Sequence, residues 1–101
     1  MQFAEQDIQA RMLAEQQVDA DRVLESVGQA LQQDGAALLE RGDRAVIDAA
    51  LARLRACRDG SDVEAIKAAI GEVDHATADF AARRMDASIR QALQGQQIDK
   101  V

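Results

Sequence analysis

The sequence predicts an all-α fold: a long N-terminal helix feeding an antiparallel three-helix bundle whose last helix is bent or split near residues 78–82. Three observations carry that expectation. The apolar half of the chain is dominated by alanine, with no Pro, Trp or Tyr and only Phe3 and Phe80 aromatic, a composition that belongs to helices. Apolar residues recur in steps of three and four, the spacing of one helix face. Turn-forming residues gather at two places, Asp34 to Asp43 and Asp59 to Asp62, so the links between helices are short.

From Phe3 the chain contains neither Pro nor Gly until Gly28, which predicts a long first helix. Its second half carries a clean stripe, Ala20, Leu24, Val27 and Leu31. Its first half holds a looser group, Phe3, Ile8, Met12 and Leu13, and Gln16 with Gln17 interrupts the stripe between the halves, so the two halves face different neighbours. The helix is expected to end between Asp34 and Arg41, where a glycine can take the left-handed conformation that closes a helix, with Leu38 and Leu39 packed under the turn.

Asp43 is expected to cap a second helix of about residues 43–58, with an inward face of Ile47, Ala50, Leu51, Leu54 and Cys57; Asp59 and Gly60 stop it. Ser61 to Glu64 has the S-x-x-E form of a capping box and predicts the next helix start. Beyond it Val63, Ile66, Ile70, Val73, Thr77 and Phe80 follow a strict seven-residue pattern, whose extension lands on Arg84. A charge cannot stay on a dry face without a partner, and the apolar set resumes as Ala81, Met85, Ile89 and Leu93, displaced around the helix. That displacement predicts the bend or break between Ala78 and Ala82. The helices are expected over about 62–94, followed by a flexible tail over about 95–101.

Arms that begin near Asp43 and Ser61 cover only the later part of the first helix. Residues 19–101 then form the bundle and residues 1–18 protrude. An amphipathic helix left uncovered by its own chain meets a partner, which makes Phe3, Ile8, Met12 and Leu13 a candidate contact surface.

Eighteen acidic residues against twelve basic ones give a net charge of −6. That balance argues against nucleic acid or an anionic membrane as partner. No apolar run approaches the roughly 20 residues that span a bilayer, and MQFAEQDIQARM lacks a secretory signal pattern, so a cytoplasmic chain is expected. Cys57 and His75 are the only residues of their kinds, which leaves no internal disulfide, no Cys/His zinc set, and no third group to orient a nucleophile and base pair. The acidic clusters lack calcium-loop spacing. The expectation is therefore no enzyme, with no catalytic, metal or cofactor residues in this chain. The adjacent Arg83 and Arg84 are read as scaffolding, since Asp79 and Asp86 lie four residues before Arg83 and Arg90, the favourable order for pairs within one helix.

FAEQDIQARMLAEQQVDADRVLES, the turn into RAVIDAALARL, then DVEAIKAAIGEVDHATADFAARRMDASIRQALQG and the closing IDKV resemble the C-terminal lid of the DnaK-type heat-shock chaperones, in particular the HscA type that serves bacterial iron–sulfur-cluster assembly. The resemblance covers essentially the whole chain, and the FAARRMDxSIRxAL segment is its most specific part. It implies that the sequence is a piece of a longer chain ending naturally at IDKV, with an N-terminal ATPase domain that binds ATP and a peptide-gripping β-sandwich outside it. It further implies a lid that closes over bound peptide and slows its release, the iron–sulfur scaffold protein as client, and a J-type co-chaperone acting on the ATPase. Phe3, Ile8, Met12 and Leu13 would then face the sandwich of the same parent chain. Asp21, Arg22 and Glu25 match the stretch that makes polar latch contacts to it, although Glu25 stands where histidine is often found. The turn QDGAALLERGD is richer in glycine than in its relatives, which predicts a softer hinge. The competing reading is a stand-alone helical adaptor or coiled-coil protein that dimerises through the protruding helix; a severed lid would also hide Phe3, Ile8 and Met12 in a homodimer.

Overall fold

The computed structural model describes the backbone of residues 2–99 and the side chains of residues 7–94. Helix α1 spans Gln2–Ala30, followed by a π-helical turn, Leu31–Gly35, and a short α2, Ala36–Leu38; α3 is Arg41–Arg58, α4 is Val63–Ala76 and α5 is Ala78–Asp99. The all-α expectation holds, and no strand occurs among the described residues.

The first helix closes differently from the sequence expectation. Gly35 is helical, with φ −58° and ψ −46°, and no described glycine has positive φ. The chain instead widens into the π turn and leaves the helix at Leu39, whose φ of −119° is extended. Gly35 serves close approach: a Cβ there would lie 3.2 Å from Arg44 Nη1. Leu38 and Leu39 pack against the core from beneath this turn.

Two helix starts are also shifted. Asp43 does not cap α3 from outside; it sits inside the first turn, and its carboxylate reaches back to accept the Glu40 N–H at 3.4 Å. At α4 the cap is Asp62 rather than Ser61, with Oδ1 accepting the Glu64 and Ala65 amides at 3.0 and 3.2 Å. A carboxylate opposes the positive end of the helix more strongly than a hydroxyl does.

The split in the last helix falls at Thr77, one residue before the expected segment. Thr77 Oγ1 donates to the Val73 carbonyl at 2.8 Å, and the Thr77 N–H donates to the same carbonyl and to that of His75. A hydroxyl that bonds back onto the preceding turn competes with the helical ladder and bends it. Helix α5 then continues to Asp99, past the expected end near residue 94, and the rest of the anticipated tail lies outside the described residues.

Helices α3 and α4 pack along each other and α1 lies against both. The core comprises Ala20 and Leu31 from α1 and its π turn, Ile47, Ala50, Leu51 and Leu54 from α3, Ile66, Ala69 and Val73 from α4, and Phe80 from α5, with no buried polar or charged residue among those described. Arg53 on α3 pairs with Glu72 on α4 across the rim. The molecule measures 71 × 29 × 17 Å with a radius of gyration of 18.4 Å, against about 13 Å for a compact domain of this length. It is a rod with a short core in its middle.

Leu54 is fully buried, so Leu54→Ala is expected to cost about 2–5 kcal/mol of stability in urea unfolding followed by circular dichroism. A Cβ at Gly28 or Gly71 would meet nothing within 4 Å. Each Gly→Ala change there is expected to stabilise by about 1 kcal/mol in the same measurement.

Candidate functional site

An apolar face on α1 is left uncovered. Ile8 is 55% exposed, Met12 38% and Val18 50%. A helix turns by about 100° per residue, which places Ile8 and Met12 on the side that further along carries Asp19 and Val23. That side meets α4. Asp19, Arg22, Val23 and Gln16 form one wall of a surface groove, and Lys67, Ile70, Gly71 and Asp74 form the other. Met12 also borders a depression shared with the first residues around α4, Ser61 to Glu64.

The groove has Val23, Ile70 and Gly71 for an apolar component, with Asp19 and Asp74 opposed by Arg22 and Lys67 at its edges. Mixed signs with an apolar strip suit the surface of another polypeptide, not a polyanion.

The sequence-derived contact residues are not all on this face. Leu13 is half-buried and packs against the core cluster, so the bundle grips α1 earlier than the boundary at residue 18. Its position explains this, because Leu13 precedes Ala20, Leu24 and Leu31 on the inward stripe. The side chain of Phe3 lies outside the described residues. Ile8 and Met12 remain as the exposed pair.

The three candidate latch residues point in different directions. Asp21 is held inside the molecule's own framework: Arg58 Nε donates to Oδ1 at 2.8 Å and Nη2 to Oδ2 at 3.0 Å. The guanidinium holds the Asp21 carboxyl below the ordinary carboxylate range and is itself raised by the pairing. Gln17 Nε2 donates to the Arg58 carbonyl at 3.2 Å, satisfying an oxygen that the end of α3 leaves free. The glutamine that breaks the stripe thus fastens α1 to α3. Arg22 turns to the α4 groove, and Glu25 is exposed.

Arg83 and Arg84 are scaffolding, but with partners other than those expected. Arg83 Nη1 donates to the Leu38 carbonyl at 2.9 Å and to Asp43 Oδ2 at 3.1 Å. Arg84 Nε donates to Asp34 Oδ2 at 2.7 Å, and Nη2 to Gln33 Oε1 at 3.2 Å. Its guanidinium carbon lies 5.9 Å from the centroid of the Phe80 ring. Both arginines therefore reach 40 to 51 residues back along the chain, and no Asp79–Arg83 or Asp86–Arg90 pair is formed among the described ion pairs. The local rule considers only neighbours on one helix, so it missed them. Arg84 stays on the inward stripe after Phe80 because its charge is met there.

A second apolar face lies on α5, where Met85, Ile89 and Leu93 are 66%, 52% and 52% exposed. Cys57 is a half-buried free thiol, and His75 is exposed. Among the described residues no cluster of His, Cys, Asp or Glu could hold a metal ion, and no helix is long and apolar enough to cross a membrane.

No family model matches the chain. Over all 101 residues it is 60% identical to the chaperone protein HscA homolog of Tolumonas auensis. It is 60% identical to the chaperone protein HscA of Cronobacter sakazakii and 57% identical to that of Escherichia coli. Each match covers 100% of this chain and 16% of the relative. The chain is thus similar along its whole length to one segment of HscA chaperones, in the DnaK family, and spans a small part of their length.

Asp21 and Asp43 have lowered folded-state pKa values, caused first by the hydrogen bonds from Arg58 and Arg83. Their contribution is present above the unfolded carboxylate value of about 3.9 and is lost as pH falls through the lower folded values. Asp21→Asn is expected to flatten the decline in stability below about pH 4 in acid titrations of urea midpoints. Adding Arg58→Gln should flatten it no further.

Proposed function

We propose that this chain is the helical lid of the substrate-binding domain of an ATP-dependent, DnaK-type chaperone for iron–sulfur-cluster assembly. It closes over a peptide held by a β-sandwich of the same parent chain and slows that peptide's release. The observation that carries this reading is the uncovered Ile8–Met12 face of α1, running into the α1–α4 groove, in a chain 57–60% identical throughout to part of HscA chaperones.

Helix α1 makes a stiff arm, because its 29 residues run without interruption from the free half into the bundle. Gln17 and Asp21, bound to Arg58, fix the angle of that arm where it enters the bundle. The bundle and the contact face therefore swing together. Closing buries the remaining exposed surface of Ile8 and Met12 against the sandwich, and opening must expose it again. Arg22, facing the groove, and Glu25, on the outer surface, are the latch candidates left with side chains outside the Asp21–Arg58 pair.

No residue of this chain acts chemically in that cycle. ATP binding and hydrolysis belong to another domain of the parent, where a J-type co-chaperone acts, and the iron–sulfur scaffold protein is the client. A cytoplasmic setting accords with this role.

The test is the rate at which a scaffold-protein peptide leaves the ADP-bound parent chaperone. Full burial of an Ile or Met side chain stabilises by about 1.5–3 kcal/mol, and each is already partly covered, so Ile8→Glu with Met12→Glu is expected to speed release roughly tenfold. Removing residues 3–101 should do at least as much. Unchanged release in both variants would reject the lid and favour a helical adaptor.

A further inference from the structure

Among its described side chains, helix α5 is fastened to the rest of the molecule over a single turn and a half. Of the described buried core residues, Phe80 alone belongs to it. Every described side-chain hydrogen bond from α5 to another element comes from Arg83 or Arg84. Beyond Arg84 the described side chains are exposed, except the half-buried Ala87. The helix joins α4 through one residue, Thr77, which has left helical geometry with φ −98° and ψ 1°.

The other nine buried core residues come from α1, the π turn, α3 and α4. Phe80 closes one end of it, between depressions lined by Val27 and Ala30 on one side and Leu39, Ile47 and Ala76 on the other. The two arginines lie beside that plug. They hold the π turn through Asp34 and Gln33, and the link into α3 through Asp43 and the Leu38 carbonyl.

We propose that α5 is a strap that swings away about Thr77 while the α1–α3–α4 bundle stays folded, and that Arg83 and Arg84 are its ionic fastener. Sub-global opening of this kind draws on the segment with the fewest buried contacts. The clamp side chains are 37% to 43% exposed, so dissolved salt reaches them and weakens their attraction to Asp34 and Asp43. Release withdraws Phe80 from its socket and bares an apolar hollow at the end of the bundle.

The chain has only two phenylalanines, Phe3 and Phe80, so the full chain labelled with para-fluorophenylalanine gives two fluorine resonances, assigned with Phe3→Leu. Sodium chloride is raised from about 20 mM to about 1 M well below the melting temperature, with far-UV circular dichroism recorded in parallel. The strap predicts a water-exposed Phe80 population that grows with salt while helicity is unchanged. Arg84→Gln should raise that population roughly fivefold at low salt, and Asp34→Asn should add little to it, because both changes break the same bond. If Arg84→Gln disrupts folding, the salt series on the unaltered chain decides alone. A Phe80 resonance that stays buried until helicity is lost, or an exposed population indifferent to salt, overturns the proposal.

Discussion

Three helices approach one another only as far as the side chains between them allow, and here each contributes a buried alanine: Ala20 on α1, Ala50 on α3 and Ala69 on α4. Small residues let the backbones close in, and the larger Ile47, Leu51, Leu54, Ile66 and Val73 fill what remains. The resulting core is narrow and short. Helices α1 and α5 outlast it in opposite directions along the chain's path, which is why apolar residues remain uncovered on both. Those faces follow from the length of the core, not from any weakness of the helices that carry them.

Polar contacts take over where this core ends. At one end Arg58 binds Asp21 through two donors while its carbonyl accepts from Gln17. At the other, Arg83 and Arg84 bind the π turn and the start of α3. Arginine suits both places, because its planar fork reaches several acceptors at once and keeps its charge. The aliphatic stem adds packing that a shorter base would lack. Each end is thereby tied by a link between segments far apart in sequence, placed where the apolar core stops.

Much of this fold was legible because it rests on local periodicity. Ile47, Ala50, Leu51 and Leu54 stand out on α3, as do Ile66, Val73 and Phe80 further on, and all are buried. The pattern around Arg84 predicts a split, and one is found at Thr77, but Arg84 keeps its place on the inward stripe, so the break belongs to the Thr77 hydroxyl and not to that charge. Features that depend on competition between near-equal local choices were less legible. Ser61 and Asp62 can both cap a helix, and Gly35 can either end one or allow a neighbour close; only packing decides. The partners of Arg83 and Arg84 were hidden for another reason, since a pattern along one helix holds no information about carboxylates some forty residues away. For the candidate site, exposure at Ile8 and Met12 followed from the missing stripe, whereas Leu13 looked similar in composition and differed only in its angle around the helix.

The single residue between α4 and α5 also fixes a rotational phase. A helix advances by about 100° per residue, so one residue more or fewer at Thr77 would carry Arg83 and Arg84 out of reach of their acceptors and turn the Met85–Leu93 face to a new bearing. The link at Asp59 to Ser61 is longer, and it turns through the Gly60 N–H, which donates to the Cys57 carbonyl at 3.0 Å. Between α4 and α5 no such turn intervenes, and chain length there is a setting of angle.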